Sequence, residues 1–355
     1  MDRLNVVFTG GGTGGHLYPA IAIAQALGDR ANVTFIGSAD RLEATIVPNA
    51  GYPLVTVMSA PAKRAYLNAV GVVQALSALR RLRPDIVIAT GGYVSFPVAL
   101  AARMLGTTIA LLEPNAHPGL TNRMLAPLVD EVWGAFSAGD PRFADKYVHT
   151  GIPVRASLRS LPSRETALER LGLSGKRLTL LAMGGSQGAR SINDALTSLL
   201  HSDGLPDGWQ LIHVTGEKEY DRVRAALGKT DGALRAYLDD VGDAYAAADL
   251  VLARAGASTL GELAATGRPA ILVPYPHASE NHQSANAAMV AKAGAAVVVD
   301  DRELVAGKLR VILADVTRPA RLAELRAAAE RSRAADPITT ILARVDALTA
   351  RKNRA

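Results

Sequence analysis

The sequence predicts an α/β protein with two Rossmann-like, doubly wound domains. Short, unbroken apolar runs alternate with helical stretches, a pattern typical of parallel sheets that are buried on both faces. The same opening of strand, glycine-rich turn and helix occurs twice, near Leu4 and again near Leu178. A chain of 355 residues is also too long for one compact core, which favours two domains.

The first half predicts five strands with helices between most of them. Its first strand, Leu4–Thr9, leads into the glycine turn 10–15 and then an apolar helix. The other four strands are expected at Val33–Gly37, Leu54–Met58, Ile86–Thr90 and Thr108–Leu112. Such alternation of strand and helix favours a doubly wound sheet.

The second half repeats this pattern. A strand at Leu178–Met183 is followed by a glycine turn, 184–188, and by a helix from Ala189. Four more strands are expected at Leu211–Thr215, Leu250–Ala253, Ala270–Val273 and Ala296–Val299.

We place the linker between Gly151 and Pro162, where prolines flank a polar stretch. The predicted domains are therefore residues 1–152 and 153–336, and a C-terminal helix of about 337–355 is expected to pack back on the first domain. Two facing domains of this kind leave a cleft at the carboxyl ends of both sheets, where such sheets bind ligands.

Composition narrows the class of protein. Hydrophobic residues make up 49% and charged residues 20%, which is typical of a globular protein. The absence of cysteine excludes disulfides and thiolate-bound metals. No signal peptide or membrane span is expected. The net charge of +6 fits an anionic surface or substrate. The 5% of aromatic residues, without aromatics between basic ones, argues against nucleic-acid binding.

The glycine turn Gly10–Gly15 has two interpretations. Its backbone N–H groups and the following helix N-terminus can approach an anionic ligand, or it is a tight turn without a ligand. NAD binding is disfavoured because the tip of the second strand, Ile36–Ser38, lacks an acidic residue.

His16 follows the turn. A positive imidazolium is disfavoured at a helix N-terminus, so a neutral imidazole that accepts a proton is expected there, unless His16 only hydrogen-bonds the turn.

The stretch RAGASTLGE, Arg254–Glu262, joins a strand to a helix in the second half. Small residues at the helix start let N–H groups face a pyrophosphate. Glu262 lies about one turn later, where a carboxylate can accept both hydroxyls of a ribose. The alternative is a surface carboxylate that the helix dipole stabilises. In the second glycine turn, Ser186 either meets a phosphate or caps a simple turn.

The following loop and helix offer side-chain amides. Gln283 and Asn286 are three residues apart and share one helix face. Amides both donate and accept, which suits the uncharged hydroxyls of a sugar, although they also occur on solvated helices. No D-x-D carboxylate pair occurs in the chain, which argues against a cation-bridged nucleotide-sugar site, so no metal site is predicted.

Together these motifs resemble those of the MurG family of bacterial peptidoglycan N-acetylglucosaminyltransferases, which have the two-Rossmann-domain GT-B fold. The matching segments occur in the family's order: GGGTGGH at Gly10–His16, GGYVSFP at Gly91–Pro97, PVR at Pro153–Arg155, GGSQGA at Gly184–Ala189 and the stretch Arg254–Asn286. Each motif alone is weak, whereas the ordered set is specific.

The resemblance implies an inverting, metal-independent glycosyltransferase without a cofactor. It would transfer N-acetylglucosamine from UDP-N-acetylglucosamine to the muramyl 4-hydroxyl of lipid I, undecaprenyl-diphospho-MurNAc-pentapeptide. The product would be lipid II for peptidoglycan synthesis, and hence for cell shape and division. The implied location is peripheral, at the cytoplasmic side of the cell membrane.

The resemblance also implies roles for single residues. Thr13, Gly14 and Gly15 would border the acceptor and the donor sugar, and Asn115 would touch the donor sugar. The residues implied to bind the nucleotide and its sugar are Arg155 and Ser186 near the diphosphate, Leu238 at the uracil, Ala257, Ser258, Thr259, Leu260, Gly261 and Glu262 on phosphate and ribose, and Gln283 on sugar hydroxyls.

Inversion requires a base on the face opposite the departing UDP. His16 is the first candidate and Glu113 the second. The chain departs from the family at Pro114, where glutamine is usual, and at Ile152, where asparagine is usual.

The residues by themselves leave three alternative functions open. One is a related GT-B enzyme with another lipid acceptor, or a UDP-sugar epimerase of similar fold. Another is a non-catalytic module that binds a nucleotide sugar or a lipid. The third is a dehydrogenase, which NAD binding would reveal.

The segment Lys63–Arg83 predicts an amphipathic helix with basic residues at both ends. Its apolar positions are Leu67, Val70, Val73 or Val72, Leu76 and Leu79. The helix either faces the core or docks on an anionic membrane.

Overall fold

The computed structural model describes residues 3–12, 14–60, 65–136, 140–185, 188–228, 232–238, 240–333 and 336–352. The chain divides into two units: the first is Met1–Arg155 with Ala335–Ala355, and the second is Ala156–Ala334. Each unit has its own parallel sheet, so the predicted class of two α/β domains is confirmed.

The strands of the described residues form two sheets. They are β1 (Leu4–Gly10), β2 (Ala31–Gly37), β3 (Leu54–Thr56), β4 (Ile86–Gly91), β5 (Thr108–Glu113), β6 (Glu131–Gly134), β7 (Tyr147–His149), β8 (Leu178–Met183), β9 (Trp209–Val214), β10 (Gly232–Arg235), β11 (Leu250–Ala253), β12 (Ala270–Leu272) and β13 (Ala296–Val298). The first sheet has the order β3-β2-β1-β4-β5-β6-β7, and the second has the order β10-β9-β8-β11-β12-β13. In each sheet the winding direction reverses between the first strand and the fourth, which is where doubly wound sheets bind ligands.

Helices connect these strands. They are α1 (Gly14–Leu27), α2 (Glu43–Asn49), α3 (Ala65–Leu82), α4 (Ser95–Met104), α5 (Leu120–Leu125), α6 (Ala156–Arg159), α7 (Arg164–Leu171), α8 (Arg190–Ser202), α9 (Glu217–Leu227), α10 (Gly242–Ala247), α11 (Ala257–Thr266), α12 (His282–Lys292), α13 (Ala306–Val316), α14 (Pro319–Arg331) and α15 (Pro337–Lys352). The described part of the chain contains no helix long and apolar enough to cross a membrane.

The first sheet is buried on both faces because successive side chains of its central strands point to opposite sides. Val6 and Phe8 of β1 pack in one core cluster with residues of α1 and α15. Val7 packs on the other face with residues of α3, α4 and α5. This double burial explains why the strands read as continuous apolar runs.

The second sheet is covered in the same way. On one face, Leu180 and Leu252 pack with residues of α8, α13 and α14. Helices α7, α10 and α11 bury Leu168, Tyr245 and Leu260. The two cores are thus independent hydrophobic clusters, each built on a sheet of its own.

The last helix, α15, belongs to the first unit although it follows the second unit in the chain. Ile341 and Val345 are fully buried in the cluster beneath β1. Arg344 forms an ion pair with Glu131 of β6.

Three strands, β6, β7 and β10, are absent from the predicted set. All three have only three or four residues. β6 contains a buried glutamate, and β10 has an exposed arginine at its end. Their apolar runs are too short to predict a strand from sequence. They are recognised as strands only by their hydrogen-bonded pairing with neighbouring strands.

Candidate functional site

The first candidate site lies at the switch point of the first sheet, between β1 and β4. Gly11 follows β1 and donates its backbone N–H to the carbonyl oxygen of Gly91 at 3.2 Å. Gly91 and Gly92 have φ values of +102° and +83°, a region that favours glycine. The two loops therefore approach each other closely enough for a direct contact between their backbones.

His16 lies in the first turn of α1 and is half-buried. A methyl group at residue 91 would lie 2.8 Å from Cε1 of His16 and 3.0 Å from Oδ1 of Asn122. The imidazole, the Gly91 backbone and the Asn122 amide thus form one cluster. Gly14 and Gly15 precede His16 in the same helix turn, while Thr13 lies outside the described residues.

Glu113 ends β5 and is fully buried. Its Oε1 accepts from the backbone N and the Nδ2 of Asn115, at 2.9 and 3.1 Å. Its Oε2 accepts from Nδ2 of Asn122 at 2.8 Å and from the Gly119 backbone N at 3.2 Å. Burial raises the pKa of this carboxyl, and the four donors oppose that shift. Glu113 therefore fixes the loop that carries half-buried Asn115.

Glu43 is a residue of this region that the sequence pattern did not identify. It is 1% exposed, and its carboxylate accepts the backbone N–H of Gly12 at 3.0 Å and of Ser38 at 3.1 Å. A carboxylate thus already holds one N–H group of the first glycine turn. The contact joins residues 31 positions apart, so no local motif indicates it.

Arg155 ends the first unit and is half-buried. Its guanidinium lies 5.3 Å from the ring centroid of Tyr18 in α1, a cation–π distance. Its charge is therefore held next to the helix that carries His16.

The second candidate site lies at the switch point of the second sheet, between β8 and β11. The glycine turn after β8 includes Gly188, where a Cβ atom would lie 2.2 Å from the Thr215 carbonyl oxygen. Ser186 lies outside the described residues. Helix α11 begins directly beyond β11, with Gly256 at its N-cap.

The start of α11 combines small, buried residues with one unsatisfied hydroxyl. Ala257, Thr259, Leu260 and Gly261 are buried and fix the helix against the unit. The Oγ atom of Ser258 is buried and has no hydrogen-bond partner among the described residues. Buried polar atoms normally have a partner, so this hydroxyl is an exception beside the N-terminus of α11.

Glu262 is half-buried in the second turn of α11. The hydroxyl of Tyr245 donates to its Oε2 at 2.9 Å. The tyrosine is another residue that the sequence pattern did not identify, because a helix of only six residues carries it.

Gln283 connects two loops of this site. Its Oε1 accepts the backbone N–H of Tyr275 at 2.9 Å. Its Nε2 would lie 3.9 Å from a Cβ atom at Gly256, the N-cap of α11. Asn286, expected beside it on sugar hydroxyls, is instead 0% exposed and donates to the Ala255 carbonyl oxygen at 3.2 Å. Its amide supports the loop before α11, because full burial removes it from any ligand in solvent.

Arg254 holds the loop that carries Tyr275. It forms an ion pair with Asp301, and its Nη2 donates to Ser191 Oγ at 2.9 Å. Its Nη1 donates to the Val273 carbonyl oxygen at 3.2 Å, and its guanidinium lies 5.5 Å from the Tyr275 ring centroid. Arg254 thus fixes the loop that carries Tyr275 to the second sheet.

Leu238 lies between β10 and α10 and is half-buried. The segment is fixed on both sides. Upstream, Gly216 donates its backbone N–H to the Ala236 carbonyl oxygen at 3.0 Å. Downstream, Oδ1 of Asp240 accepts the backbone N–H of Gly242 at 2.8 Å and so caps α10.

A separate surface of the first unit exposes apolar side chains. On α3, Leu79 is buried, and Val72 and Leu76 pack against the core. Tyr66 and Val73 are 70% and 67% exposed. The helix thus has a core face and an exposed apolar face. Lys63 and Arg64 lie outside the described residues.

No group of three or more His, Cys, Asp or Glu residues suited to a metal ion occurs within the described ranges.

Two domain families match the chain. The N-terminal domain of glycosyltransferase family 28 matches residues 6–133, and the C-terminal domain of that family matches residues 179–341. These matches include most of β1 with the His16 turn, and α11 with Glu262.

Relatives align over nearly the whole chain. A protein of Moorella thermoacetica is 42% identical over 352 residues, which is 93% of this chain and 94% of that protein. Its name is UDP-N-acetylglucosamine–N-acetylmuramyl-(pentapeptide) pyrophosphoryl-undecaprenol N-acetylglucosamine transferase. A protein of the same name from Halothermothrix orenii is 41% identical, over 86% of this chain and 88% of that protein. The crystal structure of Acinetobacter baumannii MurG has a TM-score of 0.78 at 26% identity, covering 98% of this chain and 100% of that one.

Proposed function

Because this chain belongs to glycosyltransferase family 28, we propose that it transfers N-acetylglucosamine from UDP-N-acetylglucosamine to the muramyl 4-hydroxyl of lipid I. The product is lipid II, the glycosylated lipid precursor of peptidoglycan. The chain is a hexosyltransferase, as are the relatives that align over most of its length.

The observation that carries the donor half of this proposal is the start of α11. Backbone N–H groups at a helix N-terminus bind phosphate because they are unpaired and lie at the positive end of the helix dipole. The helix begins with the small residues Ala257 and Ser258 after Gly256, so a phosphate can approach these N–H groups, and Glu262 lies one turn further along. A carboxylate at that distance suits the ribose of the same nucleotide.

The remaining donor contacts extend from this helix. Leu238 presents backbone groups to the uracil. Gln283 donates its amide N–H to hydroxyls of the sugar, since its Oε1 already accepts from Tyr275. Arg155 and Ser186 are assigned to the diphosphate, where positive charge and hydrogen-bond donors stabilise the departing UDP.

The acceptor half of the proposal rests on the His16 cluster. The acceptor hydroxyl attacks C1 of the N-acetylglucosamine, the bond from C1 to the phosphate oxygen breaks, and UDP leaves with that electron pair. His16 takes the hydroxyl proton, which makes the attacking oxygen a better nucleophile. Thr13, Gly14 and Gly15 border the reacting sugars, and Asn115 holds the donor sugar.

Glu113 is better suited to positioning than to proton abstraction. Four donors already occupy its two oxygens, and accepting a proton would break at least one of those bonds. It holds Asn122 next to the His16 ring, so its contribution reaches the reacting atoms through other side chains.

The enzyme docks on the cytoplasmic face of the membrane through α3. Lipid I keeps its long tail in the bilayer, so the enzyme must reach the surface. Exposed Tyr66 and Val73 supply apolar contact, and Arg80, Arg81 and Arg83 supply positive charge.

The test is transfer of labelled N-acetylglucosamine to a lipid I analogue in the presence of EDTA. We expect a product labelled on the muramyl sugar, at a rate that the chelator leaves unchanged. A labelled product from another lipid alone, or an epimerised UDP-sugar without any acceptor, would reject the proposed reaction. Loss of transfer in EDTA that added divalent cation restores would reject metal independence.

A further inference from the structure

The hydrogen bond between Tyr245 and Glu262 links two parts of the second unit that are distant in sequence. Tyr245 is 0% exposed, so its ring fixes the direction of its hydroxyl. That hydroxyl donates to Oε2 of Glu262 at 2.9 Å. Glu262 is only half-buried, so it faces a less enclosed environment than its partner.

A glutamate that binds a ribose must hold its carboxylate in one orientation. The glutamate side chain has several rotatable bonds, and fixing them at the moment of binding costs free energy. A carboxylate has about four acceptor positions, so one bond from a tyrosine is compatible with accepting ribose hydroxyls as well. Tyr245 can therefore fix the side chain without blocking it.

The placement of α10 adds a second link. Asp240 caps this helix two residues after Leu238, the residue assigned to the uracil. Tyr245 lies in the same helix and reaches Glu262 in α11. One short segment thus connects the residue assigned to the base with the residue assigned to the ribose.

We propose that Tyr245 is a positioning residue for ribose recognition, which holds the Glu262 carboxylate ready to accept the ribose hydroxyls of the UDP donor. This inference rests on the proposed function, because it requires Glu262 to bind the ribose. It assigns a role to a side chain that does not itself touch the nucleotide.

The test is the Tyr245→Phe variant, which removes one oxygen and keeps the buried ring. We expect UDP affinity to fall roughly 2- to 10-fold, because the variant must order the Glu262 side chain when the nucleotide binds. Affinity for 2′,3′-dideoxy-UDP should change less than 2-fold, because that analogue lacks the hydroxyls. The KM for the donor should rise in parallel, with kcat nearly unchanged, since uniform binding is lost. Tyr220→Phe, on α9 in the same unit, is the matched control and should leave both affinities unchanged.

Glu262→Ala and the double variant distinguish a wrong placement of the ribose from a wrong role for Tyr245. If Glu262→Ala does not reduce discrimination between UDP and its dideoxy analogue, the placement of the ribose in the proposed function is wrong. If Glu262→Ala reduces it and Tyr245→Phe does not, only the positioning role is wrong. Equal losses for both nucleotides in Tyr245→Phe would indicate a purely structural tyrosine and would also overturn the inference. In the double variant, the loss should equal that of Glu262→Ala alone, because both act through one contact.

Discussion

At the scale of single residues, the two side chains of the first unit that we consider as the general base differ in how readily they can accept a proton. The ring of His16 lies beside Gly91, a backbone position without a side chain, and is only half-buried. Glu113 is fully buried and accepts four hydrogen bonds. The imidazole is thus the less buried of the two groups, whereas a substrate hydroxyl would have to displace protein donors from Glu113. We therefore expect the base to be His16.

Substitution of this histidine tests the assignment. We expect His16→Ala to lower kcat by roughly 100- to 10,000-fold, the usual contribution of a general base, with little change in donor affinity. The measurement is steady-state transfer to a lipid I analogue together with calorimetric titration of UDP. His149→Ala, an exposed histidine on β7 of the same unit, is the control and should keep wild-type turnover. Turnover of His16→Ala within a few-fold of wild type would move the base elsewhere, and Glu113→Gln would be tested next.

A second histidine illustrates how burial controls charge. His213 on β9 is 1% exposed, and its Nε2 lies 2.9 Å from Oδ1 of Asn193. Its Nδ1 is buried without a hydrogen-bond partner in the described part of the chain. Burial therefore lowers the pKa of His213 to about 4. Because the ordinary value is near 6.5, the unfolded chain binds this proton more readily than the folded one.

The free energy of unfolding of the second unit should therefore fall as the pH drops from about 6.5 towards about 4. Above about pH 6.5, His213 should not make this free energy depend on pH. Between pH 7 and pH 5 we expect the second unit to lose roughly 2 kcal/mol through this group. The measurement is urea unfolding followed by Trp209, which lies on the same strand, in a Trp133→Phe background. His213→Gln should remove this pH dependence, while exposed His201→Gln should keep it. An identical pH dependence in both variants would contradict the assignment.

At the scale of secondary-structure elements, α3 has more apolar surface than its unit needs. Ala75, Ala78 and Leu79 anchor its C-terminal half in the core, yet Tyr66 and Val73 are largely exposed at 70% and 67%. Clustered exposed apolar side chains of this kind commonly mark an interaction surface. Arginines in the last turn also stabilise the negative end of the helix dipole, so their charge has two possible uses.

Membrane binding distinguishes these two uses. Replacing Arg80, Arg81 and Arg83 with glutamine should weaken binding to anionic vesicles, because each basic residue near such a surface contributes on the order of 1 kcal/mol. Binding of the unmodified protein should also fall as salt is added. Vesicle sedimentation measures both effects, and UDP affinity should stay unchanged. The control replaces three exposed arginines of the second unit, Arg302, Arg310 and Arg331, with glutamine for an equal change in charge. Equal vesicle binding by the two triple variants would show that α3 is ordinary structure.

The elements that the sequence predicts well are those with long, regular patterns. The buried strand β8 is found with its predicted bounds, Leu178–Met183, because six consecutive apolar or β-compatible residues follow a polar loop. Strand β7 has three residues and no pattern of its own, so only its pairing with β6 defines it. On α3, periodicity left Val72 and Val73 as alternatives. Packing resolves them, because Val72 faces the core and Val73 does not.

At the scale of the whole molecule, glycine turns and helix starts are local and therefore readable from the sequence. The turn before His16 and the start of α11 are both found where their motifs predict them. The groups that support them are not local. Glu43 reaches Gly12 across 31 residues, and Tyr245 reaches Glu262 across 17. Only folding brings such pairs together, so a pattern along the chain does not reveal them.

Much longer connections of this kind are made by α15, which returns to the first unit after the second unit. Nε of Arg344 donates to Oε2 of Glu131 at 3.0 Å, across 213 residues, and its Nη2 bonds the other oxygen. The Glu131 side chain is only 8% exposed, and Trp133 also donates to it at 3.0 Å. The charge of Glu131 therefore depends on its arginine partner, because an unpaired buried carboxylate is costly.

We therefore expect Arg344→Met to destabilise the first unit by about 2–4 kcal/mol. Methionine replaces most of the apolar part of the arginine side chain, whereas the charge of Glu131 loses its partner. Trp133 reports unfolding of this unit in a Trp209→Phe background, and Trp209 reports the second unit in a Trp133→Phe background. The transition followed by Trp133 should move to lower urea, while that followed by Trp209 should not. Adding Glu131→Gln to Arg344→Met should recover part of the loss, because it removes the buried charge. Arg318→Met, which breaks the exposed pair with Asp315 in the second unit, is the control and should cost less than about 1 kcal/mol. If Arg344→Met costs no more than this control, the hydrophobic face of α15, with Ile341 and Val345, holds the helix to its unit without the ion pair.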